Sequence, residues 1–534
     1  MLESYPFLAI APPLVAIILA IMTRRVLLSL GLGIVAAAFL INDFSPLGTI
    51  KDIWGAFFGI VYADGELNTG KIYILLFLLM LGIITALILM SGGSAALSQW
   101  AAGKIKSRKS AQYLAAFLGI AIFIDDYFNA LAVGQIAKPV TDKYNVSRAK
   151  LAYIIDSTSA PVAVLAPFSS WGASIIGLLA PVVAMSSIQH SEVGAFLGAA
   201  GTNFYAISAI LMVLLMIALQ VDLGPMRTEE RRAIREGETY QSGEDIPGEL
   251  SDDLPVHSEG KVRSLIVPFI ALIVGVIGSM FITGGLSGGS WTMLDMLANT
   301  MVNESLIIGG ACGLVAALVF YFIETRDNNT FDSKVLGQGV GQGARSMLPA
   351  IAILLMAWAL GSLISELGTG TYLGHLVETA NVAPQWLIPM MFLVACLMSF
   401  STGTSWGSFG LLIPIAGDIM NHLDAPEFLI PALGAVLAGS VMGDHCSPIS
   451  DTTILSATGA SSSIITHVRT QLPYAVTCMI ASLVGYLVLA ATGNSWAGFV
   501  ALIVTLLAMV LVSQRMITAL DEEIPDSERA PILI

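Results

Sequence analysis

The chain is short of charge. Only 12% of its 534 residues are Asp, Glu, Lys or Arg, against 56% hydrophobic, a balance foreign to water-soluble globules. Cysteine is scarce too. Cys312, Cys396, Cys446 and Cys478 each stand alone in an apolar segment, so no disulfide framework or zinc-ligand spacing is present and buried packing is the expectation. The 24 basic residues are outnumbered by 38 acidic ones, which gives no support to nucleic-acid binding. Most of the net charge of −14 comes from Arg227 to Arg263 and from Asp521 onward, stretches that read as solvated. A cleavable signal peptide is not expected: an acid precedes the first apolar run and Arg24 and Arg25 follow it, the reverse of the signal pattern.

Long apolar runs are what the chain has in quantity. Blocks near 6–22, 26–42, 72–91, 202–221, 264–283, 304–323, 348–366, 472–491 and 497–513 are long enough to cross a hydrocarbon core of about 30 Å as helices. The expected class is an all-α polytopic membrane protein with the lipid bilayer as its surroundings. Arg24 and Arg25, the Lys104–Lys109 group, Arg227 to Arg235, Arg326 to Arg345, Arg469 and Arg515 fall in alternate loops. The positive-inside rule then puts the N-terminus outside and the C-terminus in the cytoplasm.

Three places break this pattern. The block from Ala111 to Pro139 is flanked by basic residues on both sides, so it is expected to be a re-entrant hairpin with Asp125 and Asp126 near its tip. The block from Trp386 to Met420 is interrupted by "FSTGTSWGS" and reads as a second hairpin, entering from outside. Finally, "YIIDSTSAPVAVLAPFSSWGAS" and "SVMGDHCSPISDTTILSATGAS" put acids, hydroxyls and a proline inside segments needed for crossings. Proline breaks a helix, and such breaks at membrane depth survive only inside protein or beside a polar cavity.

The interruptions repeat. Leu78 to Met80 match Leu354 to Met356, Pro139 aligns with Pro414, and Pro161, Ser169, Gly172, Ala173 and Ser174 match Pro448, Ser456, Gly459, Ala460 and Ser461 in the same order. With the loop charges above, the second copy is inverted. The expected domains are a first repeat over 1–222, an acidic cytoplasmic linker over 223–263, an inverted second repeat over 264–492, and an extra helix with an acidic tail over 493–534. Inverted repeats with broken helices point to a secondary transporter whose site lies between the repeats at the midplane.

A carboxylate at that depth costs about 2.5–3.5 kcal/mol on insertion scales, so it needs a partner or a task. Sodium, a hard ion, asks for oxygen ligands. The candidate cation and proton ligands are Asp125, Asp126, Asn129, Asp156, Ser157, Thr158, Asp444 and Asp451. The second hairpin and break add Ser401, Thr402, Thr404, Ser405, His445, Ser447, Ser450 and Thr452. Asp126 and Asp156 are the leading exchange residues, with Asp444 as the counterpart of Asp156. Plainer readings stand beside these. Asp125, Asp126, Asp156 and Asp451 could cap helices, the small residues of "STGTSWGS" could serve close packing, and His445 could be proton-linked. A transition-metal site at His445 and Cys446 lacks a second ligand pair.

At these residues the chain resembles the NhaC-type sodium/proton antiporter family, through "FIDDYFNALAVG", "IDSTSAPVAVLAPFSSWGA" and "GDHCSPISDTTILSATGA". The resemblance implies Na+ and H+ as transported ions, no cofactor, and a prokaryotic plasma (inner) membrane. It also leaves open a small organic solute, because related proteins exchange malate for lactate or carry amino acids. A cation at the midplane would favour an organic anion, and Lys138 is the one candidate. An intramembrane aspartyl protease is the remote alternative, but "VMGDH" lacks the pattern associated with such enzymes. A homodimer is left open.

Overall fold

A computed structural model describes residues 6–531 apart from 24, 64, 124–125, 168, 187–191, 242, 244–253, 289–290, 294–295, 297–298, 329, 370–371, 373–382 and 424. Its helices form because lipid offers no partner for a bare peptide group, so each apolar run must satisfy its own backbone. Among the described residues eight helices are long and apolar enough to cross a bilayer, and the bent pair Glu192–Gly201 and Phe204–Leu219 makes a ninth when taken as one span. The chain is a multi-pass membrane protein.

The first interruption is a hairpin. Ser107 caps the helix Arg108–Ala121, whose 14 residues rise only about 21 Å, too little for a crossing. After the tip, Asp126–Lys143 returns to the starting side. The two feet are tied together: the Tyr144 hydroxyl donates to the Ile105 carbonyl, and Arg108 Nε donates to Asn145 O at 3.2 Å. The second hairpin consists of Pro384–Thr402 and Ser405–His422. Gly403 makes its turn at φ +70°, so close to Ile449 that a Cβ would lie 2.7 Å from that carbonyl oxygen.

Two broken helices lie against the hairpins. In the first, Arg148–Thr158 stops at Ser159, Ala160–Ala163 carries Pro161, and Ser170–Met185 continues. In the second, Pro426–Cys446 stops before Pro448 and Asp451–Ala460 follows. The half-helix Asp451–Ala460 crosses the returning arm of the first hairpin at backbone contact, where a Cβ on Gly134 would meet Gly459 C at 2.3 Å. Small residues permit this approach, which gives helices in lipid their packing energy. The first hairpin is thereby locked to the second break.

Two expectations need correction. The helix placed at 472–491 begins at Ile464 and runs to Thr492. Pro473 does not end it, and His467, Arg469 and Gln471 are helical rather than loop residues. The acidic linker is not simply solvated. Pro225–Glu236 is a helix that buries Met226, Glu230, Ala233 and Ile234 on one face. Glu230 can be buried because the Arg108 guanidinium meets it and Lys150 Nζ lies 3.3 Å away, with Asp222 2.6 Å from the same ammonium. Burial alone would push Glu230 up, but Lys150 and Arg108 hold it below the ordinary glutamate value. Burial pushes Asp222 above the ordinary aspartate value despite Lys150, and Glu230 adds to the rise. The tail docks on the same helix: Arg227 and Arg231 pair with Glu523, and Ala530 N donates to Ile234 O at 2.8 Å.

Candidate functional site

Each broken helix leaves its last turn without successors, so backbone carbonyls and side chains there must find partners elsewhere. Asp156, Ser157 and Thr158 occupy the end of one half-helix, and Asp444 and His445 the end of the other. Asp451 opens the next half-helix, where a negative charge suits the helix N-terminus.

Asp156 is enclosed by donors. Its Oδ1 accepts from Ser456 Oγ at 3.2 Å, and its Oδ2 from Gln471 Nε2 at 2.7 Å. His467 Nε2 stands 3.2 Å from Oδ2 and His445 Nε2 3.8 Å away. His445 is itself held, with Nδ1 2.7 Å from the Tyr205 hydroxyl and Nε2 3.1 Å from Ser157 Oγ. Gln471 also donates to the His445 carbonyl. This is one buried polar network in which both oxygens of the acid are satisfied.

Asp444 is treated differently. Its Oδ2 accepts from Ser405 Oγ at 2.7 Å and from Ser405 N at 3.3 Å, while Oδ1 is buried without a hydrogen-bond partner among the described residues. Asp451 and Asp156 both lie within electrostatic reach of it. Asp451 accepts from the Tyr127 hydroxyl and from Thr452 N at 2.9 Å, with the Trp358 side chain near it. Asp126 Oδ1 accepts from Trp171 Nε1 at 2.8 Å. The Trp171 ring lies 5.0 Å from that of Trp406, so the two hairpins meet across it.

The remaining expected ligands divide. Asp125 lies outside the described residues. Asn129 Nδ2 donates to the carbonyls of Gly119, Ile122 and Thr158, pinning the hairpin to the first break, while its Oδ1 has no partner among the described residues. Thr158 Oγ1 bonds back to Ile154 O at 2.7 Å, Ser447 Oγ to Phe400 O at 2.8 Å, and Ser450 caps its helix beside Thr452. Ser401 is buried. Thr402 and Thr404 line a cavity of about 440 Å³ that reaches Asp451. Lys138 is not at the site; it donates to Ser461 Oγ at 2.9 Å, near the foot of the first hairpin.

A model of the Na+/H+ antiporter family matches residues 162–491, which include both Asp444 and Asp451. The chain belongs to that family. It is 42% identical over 512 residues to an uncharacterized protein of Haemophilus influenzae, covering 95% of each chain. A 30% identical match to a malate-2H+/Na+-lactate antiporter of Bacillus subtilis covers 29% of this chain and 34% of that one. A 24% identical match to the Na+/H+ antiporter NhaC of Alkalihalophilus pseudofirmus covers 30% and 32%. As a member of the Na+/H+ antiporter family the chain is a secondary antiporter and not an enzyme, and the protease reading falls.

Sequence reasoning missed five partners within this antiporter's core: Tyr127, Trp171, Trp358, His467 and Gln471. The two tryptophans and the tyrosine sit in apolar runs, where an aromatic reads as packing. His467 and Gln471 were hidden by the late start given to their helix. A hydrophobicity count that tolerated one arginine in the first turns would have included them.

Proposed function

We propose that the chain exchanges Na+ for H+ by alternating access in a prokaryotic inner membrane, with its N-terminus outside and its C-terminus in the cytoplasm. The two repeats, 1–222 and 264–492, are inverted in this reading, and the stretch 223–263 joins them in the cytoplasm. Asp444 holds the cation, with Asp451 and Asp126 beside it, and Asp156 with its histidines orders the pocket. A carboxylate that takes sodium must release its proton, so the two ions compete for one group and exchange follows. The observation that carries this reading is Asp444 Oδ1, a buried carboxylate oxygen without a hydrogen-bond partner among the described residues and close to a second acid. A buried charge so arranged calls for a counter-ion.

The test is flux in proteoliposomes carrying a pH-sensitive dye. Sodium added without any organic solute is expected to move protons; a dye signal that appears only with a carboxylate or amino acid would overturn the reading. Orientation is checked separately. With Cys312 replaced by Ser, an impermeant maleimide added to intact cells is expected to label a cysteine at exposed Glu66 and not one at exposed Glu259. The opposite labelling would reverse the orientation. A second reading, coupled carriage of a small organic solute, is favoured by the cavity that reaches Asp451, because it is far larger than a bare ion needs.

A further inference from the structure

The cavity of about 440 Å³ has Lys71, Trp358, Thr402, Gly403, Thr404 and Asp451 among its walls. A water's share of liquid volume is about 30 Å³, so this space exceeds the needs of an ion with a few waters and falls within the roughly 300–1,000 Å³ of small-molecule sites. Its charges are opposed. Asp451, partly exposed, stands on one wall. Lys71 also lines the cavity, its ammonium 5.5 Å from the centre of the Trp358 ring, and the Trp358 side chain lies near Asp451 as well.

Lys71 does not suit a pathway for sodium alone. A cation lining the cavity repels an incoming cation, whereas acids there would concentrate it. Lys71 also lies in the first turn of Thr69–Met90, the helix end at which a positive charge is disfavoured and an anion favoured. Among the described residues it pairs with no carboxylate. Another part of the lining is negative in character: it holds Asp451 and also Gly403, which ends Pro384–Thr402, and the last carbonyls of a helix attract positive charge.

We propose that this cavity binds a small amino acid as its zwitterion, with the carboxylate on Lys71, the ammonium on Asp451 and the hairpin-tip oxygens, and the side chain along Trp358. The proposal rests on the second reading above. The purified full-length protein in detergent is titrated with each of the twenty common amino acids, with lactate as an acid without an amine, and with propylamine as an amine without an acid, following thermal stability and tryptophan fluorescence. At least one amino acid is expected to bind, with lactate and propylamine each at least tenfold weaker. Lys71→Met is expected to weaken that amino acid at least tenfold, while Lys71→Arg, which keeps the charge, stays within a few-fold. Failure of all twenty to bind, lactate as tight as the best amino acid, or undiminished binding by a folded Lys71→Met protein would each overturn the proposal. Sodium-driven proton flux without solute separates the two ideas. Flux without amino-acid binding removes this site alone, and binding without such flux removes the sodium/proton reading alone.

Discussion

Asp156 and Asp444 occupy equivalent places, each in the last turn of a half-helix ended by a break, yet their surroundings are opposite. Asp156 has donors on both oxygens, drawn from Ser456, Gln471 and His467. Asp444 has Ser405 on Oδ2, the Ser450 hydroxyl within reach, no hydrogen-bond partner on Oδ1 among the described residues, and an acid for a neighbour. The difference teaches that a buried carboxylate in this fold can be either a fastener or a seat. Satisfied on every side, it holds helices in register; left open on one side, it has affinity to spend on an ion. Glu230, at the foot of the first hairpin, is a fastener of the ionic kind, clamped by Arg108, Lys150 and Ser147 N.

The sharpest way to break this contrast is Asp444→Asn. It keeps the shape and removes the charge that would face the cation. Removing one partner of a buried pair costs about 3–5 kcal/mol, so apparent sodium affinity should fall roughly 100- to 4,000-fold and proton flux should reach background. Near-normal flux in a folded Asp444→Asn protein would assign the exchange elsewhere.

Glu230→Gln comes next, read out as stability. It leaves Arg108 and Lys150 short of a counter-charge, at about 3–5 kcal/mol, and should lower the melting temperature in detergent while exposing the tail to trypsin at Arg529. Asp222→Asn should cost less, since burial already opposes the charge of that residue. The pH dependence has a definite sign. Because Glu230 is held below its ordinary value, its contribution is complete above the unfolded glutamate range and is lost as pH falls through the lowered folded value. Asp222, raised on folding, works the other way: its contribution is complete below the unfolded aspartate range and is lost as pH rises through the raised folded value. Trypsin protection that collapses in Glu230→Gln but is unchanged by acidifying the wild type through that range would show that packing, not charge, holds the tail.

The smallest expected effect belongs to Asp156→Asn. The amide cannot accept on both sides, so one or two donors among Gln471, Ser456 and His467 lose their partner, each costing about 1–3 kcal/mol. Stability should drop while sodium still drives protons at a reduced rate. Unchanged stability with abolished flux would make Asp156 the exchange residue and erase the contrast.

Much of the fold was legible. The feet of the first hairpin are tied together as its flanking basic residues implied, and the breaks fall where acid, hydroxyl and proline interrupt apolar runs. Less of the site was legible. Lys71 stands one residue before the apolar block that begins at 72, where no local pattern marks it, while Lys138, which looked better placed, ends on Ser461. Asn129 was expected as a ligand, and its amide proves to be a pin between three carbonyls.

By itself the sequence determined that the chain lives in lipid, where its apolar helices fail, and which residue types stand at the failures. These are local matters, governed by whether a short stretch can satisfy its own backbone without water. Only the tertiary structure decided which acid is enclosed and which is open. The partners of Asp156 come from positions as far as 315 residues away in the chain, and Ser405 reaches Asp444 across 39. No local pattern encodes such meetings. They depend on how closely helices approach, as at Gly134 and Gly459, and that distance is fixed only when the whole bundle packs.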